Sequence, residues 1–251
     1  MYRSTLCVSN TNSFRAMASV FQTGAQIFCE HRRGYVWGQK EVQSFMNSIL
    51  QGKLLGTVSV WLMPGQFMNQ RQGYRHKHLG ALGNSDAYAR PSAMVIDGYN
   101  RMATLAWATT ITPAPCEYSE QELAVWCNGQ TLVLDAETKE FIWVDDDELN
   151  SGLLIPVQLL APGEDCQLEA PGRKYIREMT KKVWRGYGPN SIKDFKRLCW
   201  EVAYAIQNAE ATVCHYMQGT MDEVLATMNT QATAGIADDY ANAYASSRKR
   251  F

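Results

Sequence analysis

The stretch Met94–Trp107, MVIDGYNRMATLAW, constrains this chain more than any other. An apolar, partly β-branched run breaks at Asp97-Gly98, and an apolar helical pattern continues from Tyr99 to Thr109. A short buried strand therefore ends at Asp97 and turns at once into a helix. Such a junction can bind an anion, because the free N–H groups of the first helical turn and the helix dipole favour phosphate. Gly98 lets the backbone approach a ligand. Arg101, one turn in, could fork onto phosphate oxygens, and Asp97 could hold a magnesium ion or accept a proton. The same residues also describe a helix merely capped by Asp97, with Gly98 making the turn.

Elsewhere the patterns are read from spacing. Val42, Phe45, Met46, Ile49 and Leu50 recur at helical intervals and predict an amphipathic helix ended by Gly52. Between Gly56 and Pro64 the β-branched and apolar residues predict a buried strand. Ser13–Phe28 reads as a short helix or strand leading into the basic turn His31-Arg32-Arg33-Gly34. From Glu122 to Val144, LAVWCNGQTLVLD and FIWVDDD predict two or three antiparallel strands, turning at Asn128-Gly129 and near Glu137–Lys139. Residues 65–90 lack periodicity and predict a long loop. Pro162-Gly163 and Pro171-Gly172 bracket a polar connector, beyond which residues 174–187, 191–217 and 220–231 read as helices. The expected fold class is α+β: a mixed α/β domain over residues 1–160, then a helical portion over 161–251 with a polar, basic tail.

The balance of 24 basic and 25 acidic residues removes any global pull toward nucleic acid or membrane, so a polyanion site must be a local patch. A hydrophobic fraction of 46% suffices for a core. Seven cysteines, an odd count without CxxC spacing, argue against a disulfide framework and a zinc site. No apolar run reaches the roughly 18 residues of a membrane span, and the start lacks a signal-peptide pattern. A soluble, cytoplasmic protein is expected.

A second signal is Arg32-Arg33-Gly34-Tyr35-Val36-Trp37, where arginines beside aromatics suit phosphate binding or base stacking. Alone, it also describes a surface turn with Tyr35 and Trp37 packed beneath the next helix. The two signals together, Arg33-x-Tyr35-x-Trp37 and Ile96-Asp97-Gly98-x-x-Arg101 with Thr104-Leu105, are joined by Ser48-Ile49-Leu50, Gly52, Gly56 and Trp61. This arrangement resembles the amino-terminal domain of GmrSD-type restriction factors, in the ParB/sulfiredoxin-like superfamily, and spans most of residues 28–235. Two departures stand out. His31-Arg32 replaces that family's Tyr-Gln, and Tyr99-Asn100 replaces its Gln-Gln.

The resemblance implies binding of ATP or GTP with Mg²⁺, and its hydrolysis. Arg33, Tyr35, Gly98, Tyr99, Asn100 and Arg101 would bind the nucleotide. Asp97 and Arg101 would be catalytic, with Asp97 also holding the metal. The implied setting is DNA modification, restriction, anti-restriction or phage defence, with double-stranded DNA or a modification or restriction protein as partner. The larger relatives carry an HNH-type nuclease domain. With the chain given to Phe251 and only His215 in its second half, that activity is not expected. Two alternatives stay open: a phosphotransferase acting on a small molecule or modified nucleobase, and a non-catalytic DNA-binding or inhibitor module.

Other candidates are local. Arg71, Arg75, His76, Lys77 and His78, with Arg32, could contact nucleic acid, or simply form a solvated loop. His76 and His78 could pair on a metal only in an extended segment. Asp145–Glu148 lacks the ligand spacing of a calcium loop and reads as a solvated acidic turn. Trp126, Trp143, Trp184 and Trp200 read as core, Lys181-Lys182 and Arg185 as a solvated helix face, and His215 as a core histidine on a helix.

Overall fold

The computed structural model describes residues 6–22, 26–29, 35–62, 76–77, 92–109, 120–150, 153–161, 170–187, 189–217, 219–220 and 222–227. The elements in chain order are β1 (Leu6–Ser13), α1 (Phe14–Gln22), β2 (Gln26–Cys29), α2 (Gln39–Leu50), β3 (Thr57–Leu62), β4 (His76–Lys77), β5 (Ala93–Asp97) and α3 (Tyr99–Ala108). They continue with α4 (Glu120–Cys127), β6 (Gln130–Asp135), β7 (Glu140–Asp145), β8 (Leu154–Pro156), α5 (Ala170–Tyr187), α6 (Pro189–Gln207) and β9 (Glu210–Met217). The fold class is α+β.

Among the described residues, six strands form a mixed sheet in the order β1-β9-β3-β5-β2-β4. β9 runs antiparallel to β1 and parallel to β3, β3 antiparallel to β5, and β5 parallel to β2. Alternation of side chains gives the sheet two buried faces. Val58, Val60, Val95, Ala211 and Val213 enter the main core beneath the helices. Trp61, Met94, Ile96 and Tyr216 form the other face, capped by Val224 from the helical residues 222–227. On that second face, burial first, then Cys7 and Cys214, push the Tyr216 phenol up to about 12. A separate antiparallel sheet, β7-β6-β8, packs against the main core through Leu132, Leu134, Phe141 and Ile155. Among the described residues, no helix is long and apolar enough to cross a membrane.

Several expectations are corrected. Leu123–Cys127, read as strand, belongs to helix α4. Its EQELAVWC sequence consists mostly of helix formers, and Asn128 and Gly129, with φ of +50° and +67°, end the helix instead of turning a hairpin. The Asn128 N–H accordingly donates to Ala124 O.

Residues 210–217, read as the end of a helix, form strand β9. Helical periodicity stops at Gln207, and Ala211 and Val213 then alternate toward the helix-covered core while Tyr216 faces the other way. His215 therefore lies on a strand. The sheet thus takes strands from both sides of residue 160. Within the stretch read as a structureless loop, His76 and Lys77 form β4, paired with Cys29 and Phe28. Trp200, read as core, is 46% exposed. Trp143 and Trp126 do pack against the core, and the side chain of Trp184 lies outside the described residues.

Candidate functional site

The strand-to-helix junction forms where it was expected. The β3–β5 register slips by one residue between Ser59 and Val60, a bulge that immediately precedes Asp97. Gly98 follows with φ +107° and acts as the N-cap of α3. A Cβ at that position would lie 3.0 Å from Val58 Cγ2, so both the backbone conformation and the packing demand glycine.

Arg101 has its guanidinium folded back over the segment between α2 and β3. Its Nη1–H donates to Leu55 O (3.0 Å) and its Nη2–H to Thr57 O (2.5 Å). Nη2 also pairs with Asp97 Oδ2 at 3.1 Å, both side chains being partly buried. Gly56 makes room for this, since a Cβ there would stand 2.5 Å from Arg101 Nη1. The same segment is tied to β9, with Leu55 N–H donating to Glu210 O and Thr212 N–H to Gly56 O. Arg101 therefore joins α3, the Gly56 turn and Asp97 in one unit.

The two sequence signals meet in space. Tyr35 is buried, and its hydroxyl shares a 2.7 Å hydrogen bond with Thr104 Oγ1. Val36 N–H donates to Asn100 Oδ1 at 3.1 Å. Tyr35 thus anchors its segment to α3, and Asn100 holds the neighbouring backbone. Tyr99 is half-buried in the first turn of α3.

Aromatic packing fixes the outer side of this segment. Trp107 stacks on Trp143 with centroids 6.2 Å apart, and Trp126 meets both edge-on. Trp126 also touches Tyr35 edge-on and donates its indole N–H to Trp37 O. The outer side of Trp126, with Gln121, Glu122 and Val125, lines a cleft of about 390 Å³.

Arg32, Arg33, Arg71, Arg75 and His78 lie outside the described residues, as do the side chains of His76 and Lys77. Among the described residues, no cluster of three His, Cys, Asp or Glu forms a ready metal site. Sequence reasoning missed the participation of Trp107 and of the Leu55 and Thr57 carbonyls. The carbonyls leave no trace in residue identity. Trp107 was visible only as one apolar position of a helix. Compared with known proteins, the chain matches no family model and no curated protein at a significant level.

Proposed function

We propose that the chain binds a nucleoside triphosphate at the N-terminus of α3 and hydrolyses it, as an ATP- or GTP-dependent protein of the ParB/sulfiredoxin-like kind acting in DNA modification, restriction or anti-restriction. The supporting observation is the meeting of two motifs 64 to 69 residues apart, through Val36–Asn100 and Tyr35–Thr104. A surface turn and an ordinary helix cap have no need of each other, whereas a phosphate pocket needs both walls. In this reading the N–H groups of Tyr99 and Asn100 and the dipole of α3 receive phosphate oxygens. Arg33, two residues ahead of Tyr35 in sequence, adds a cation. Arg101 positions Asp97 and the Gly56 turn through the bonds it makes.

One carboxylate suits Mg²⁺, which keeps much of its water and takes its remaining oxygens from phosphate. Asp97 is the residue that would hold it. The ion would neutralise charge on the transferred phosphoryl group. Asp97 could alternatively take the proton of the attacking water as a nucleoside triphosphate and water become diphosphate and inorganic phosphate.

The test is phosphate release from ATP and GTP with Mg²⁺, with and without double-stranded DNA. Asp97→Asn should lower turnover by about a hundredfold or more while far-ultraviolet circular dichroism stays unchanged. Unchanged turnover in Asp97→Asn, or no nucleotide binding by the parent chain, would overturn the reading. A non-catalytic binding module is the second reading, favoured by the Asp97–Arg101 ion pair, which already neutralises the carboxylate. It predicts nucleotide or DNA binding without phosphate release.

A further inference from the structure

Helices α5 and α6 carry nine Lys and Arg against three Asp and Glu, in a chain whose total is 24 against 25. Both put their inner faces on the main core, α5 through Ile176 and Met179 and α6 through Phe195, Cys199, Val202 and Ile206. They also pack against each other. Their outer rows therefore share the surface above that core.

On α6 the outward row follows helical spacing: Lys193, Arg197, Trp200 and Tyr204, all exposed. Trp200 is 46% exposed and Tyr204 55%. On α5 the outward row is Lys174, Arg177 and Lys181, also exposed. Arg197 is bridged to Asp194 at 3.1 Å and to Glu201 at 3.7 Å. Such exposed pairs are weak and yield readily to a polyanion.

A solvated helix face needs neither feature, because water solvates Lys and Arg while two large rings one turn apart cost free energy there. Cations beside exposed rings are what unpaired bases on a phosphate backbone require: stacking for the bases and charge for the phosphates. A duplex keeps its bases stacked inside and offers the rings nothing. We infer that the outer face of the α5–α6 pair binds single-stranded nucleic acid, with Trp200 and Tyr204 as the stacking platform and the flanking Lys and Arg as the backbone contacts. The inference does not rest on nucleotide binding at α3, and every variant below leaves Asp97 and Arg101 in place.

The experiment is fluorescence anisotropy with labelled oligothymidylate and oligouridylate of about 20 nucleotides, a duplex of the same length, and phosphatidylserine vesicles. The double variant Trp200→Ala/Tyr204→Ala should weaken single-strand binding about tenfold or more with the salt dependence kept. Trp200→Phe/Tyr204→Phe should retain most of the affinity, which separates stacking from any loss of folding in the alanine variant. Arg177→Gln and Lys193→Gln should each reduce the slope of log affinity against log salt by about 0.7. The inference is overturned by no binding of either single strand at low salt, by equal binding after removal of both rings, or by preference for duplex or vesicles over single strands.

Discussion

Gly52 and Gly56 both hold positive φ, +68° and +81°, yet a side chain would meet different surroundings at each. At Gly52 nothing lies within 4 Å of an added Cβ, so Gly52→Ala carries only the left-handed backbone cost of about 1–2 kcal/mol. At Gly56 the added carbon would meet Arg101 Nη1, and the guanidinium must leave Leu55 O and Thr57 O to make room. Gly56→Ala should therefore lower stability by about 1–3 kcal/mol more than Gly52→Ala, read from urea unfolding of the two variants. Equal losses would show that Arg101 is not held by the turn.

His215 gives a second prediction at this scale. Burial holds its imidazole below the ordinary value of 6.5, so the unfolded chain takes up the proton more readily than the folded one. Stability linked to His215 is then fully present above pH 6.5 and lost as pH falls below it. Urea midpoints measured on either side of that pH should fall on acidification in the parent chain and fall less in His215→Gln.

Among the elements, α2 and β7 are joined by an uncommon device. Among the described residues β7 is an edge strand of the small sheet, and Asn47 of α2 takes the place of a further neighbour. The Asn47 amide donates to Phe141 O (3.0 Å) and accepts from Phe141 N–H (2.7 Å). Asn47→Ala leaves both backbone groups without that partner and should cost about 1–3 kcal/mol. Faster hydrogen exchange at the Phe141 amide would locate the loss at this junction.

The sequence made the junction at Asp97-Gly98 legible because a helix start and a strand end each carry local chemistry. The helix at 39–50 was legible for the same reason, since Val42, Met46 and Ile49 mark one buried face. Asn128-Gly129 misled because the same dipeptide suits a hairpin turn and a helix end, and only the partner of the Asn128 N–H distinguishes them. For β9, residues 210–217 directly follow the helix pattern of α6, and their partners in β3 and β1 lie far back in the chain, from Leu62↔Met217 to Leu6↔Met217, where no local signal reaches. Tyr35 and Thr104 were visible as motif positions, but their shared hydrogen bond is a product of tertiary packing.

For the molecule as a whole, β9 has the largest role. It lies between β1 and β3, pairs with both, and places residues on both faces of the sheet. A fragment of residues 1–160 should therefore lack a cooperative unfolding transition, and adding residues 161–251 in trans should restore it. A cooperative fragment 1–160 would show that β3 and β5 close the sheet without β9.

β9 has a further consequence during synthesis. At about 5–20 residues per second, roughly ten to thirty seconds separate the appearance of β3 from that of its neighbour. Throughout that interval Val58, Val60 and Trp61 have not gained their β9 partner, and β3 presents an open edge to any other extended chain. A nascent chain of this design depends on what shields that edge until β9 arrives, so its yield in a cell should track chaperone supply more closely than its final stability.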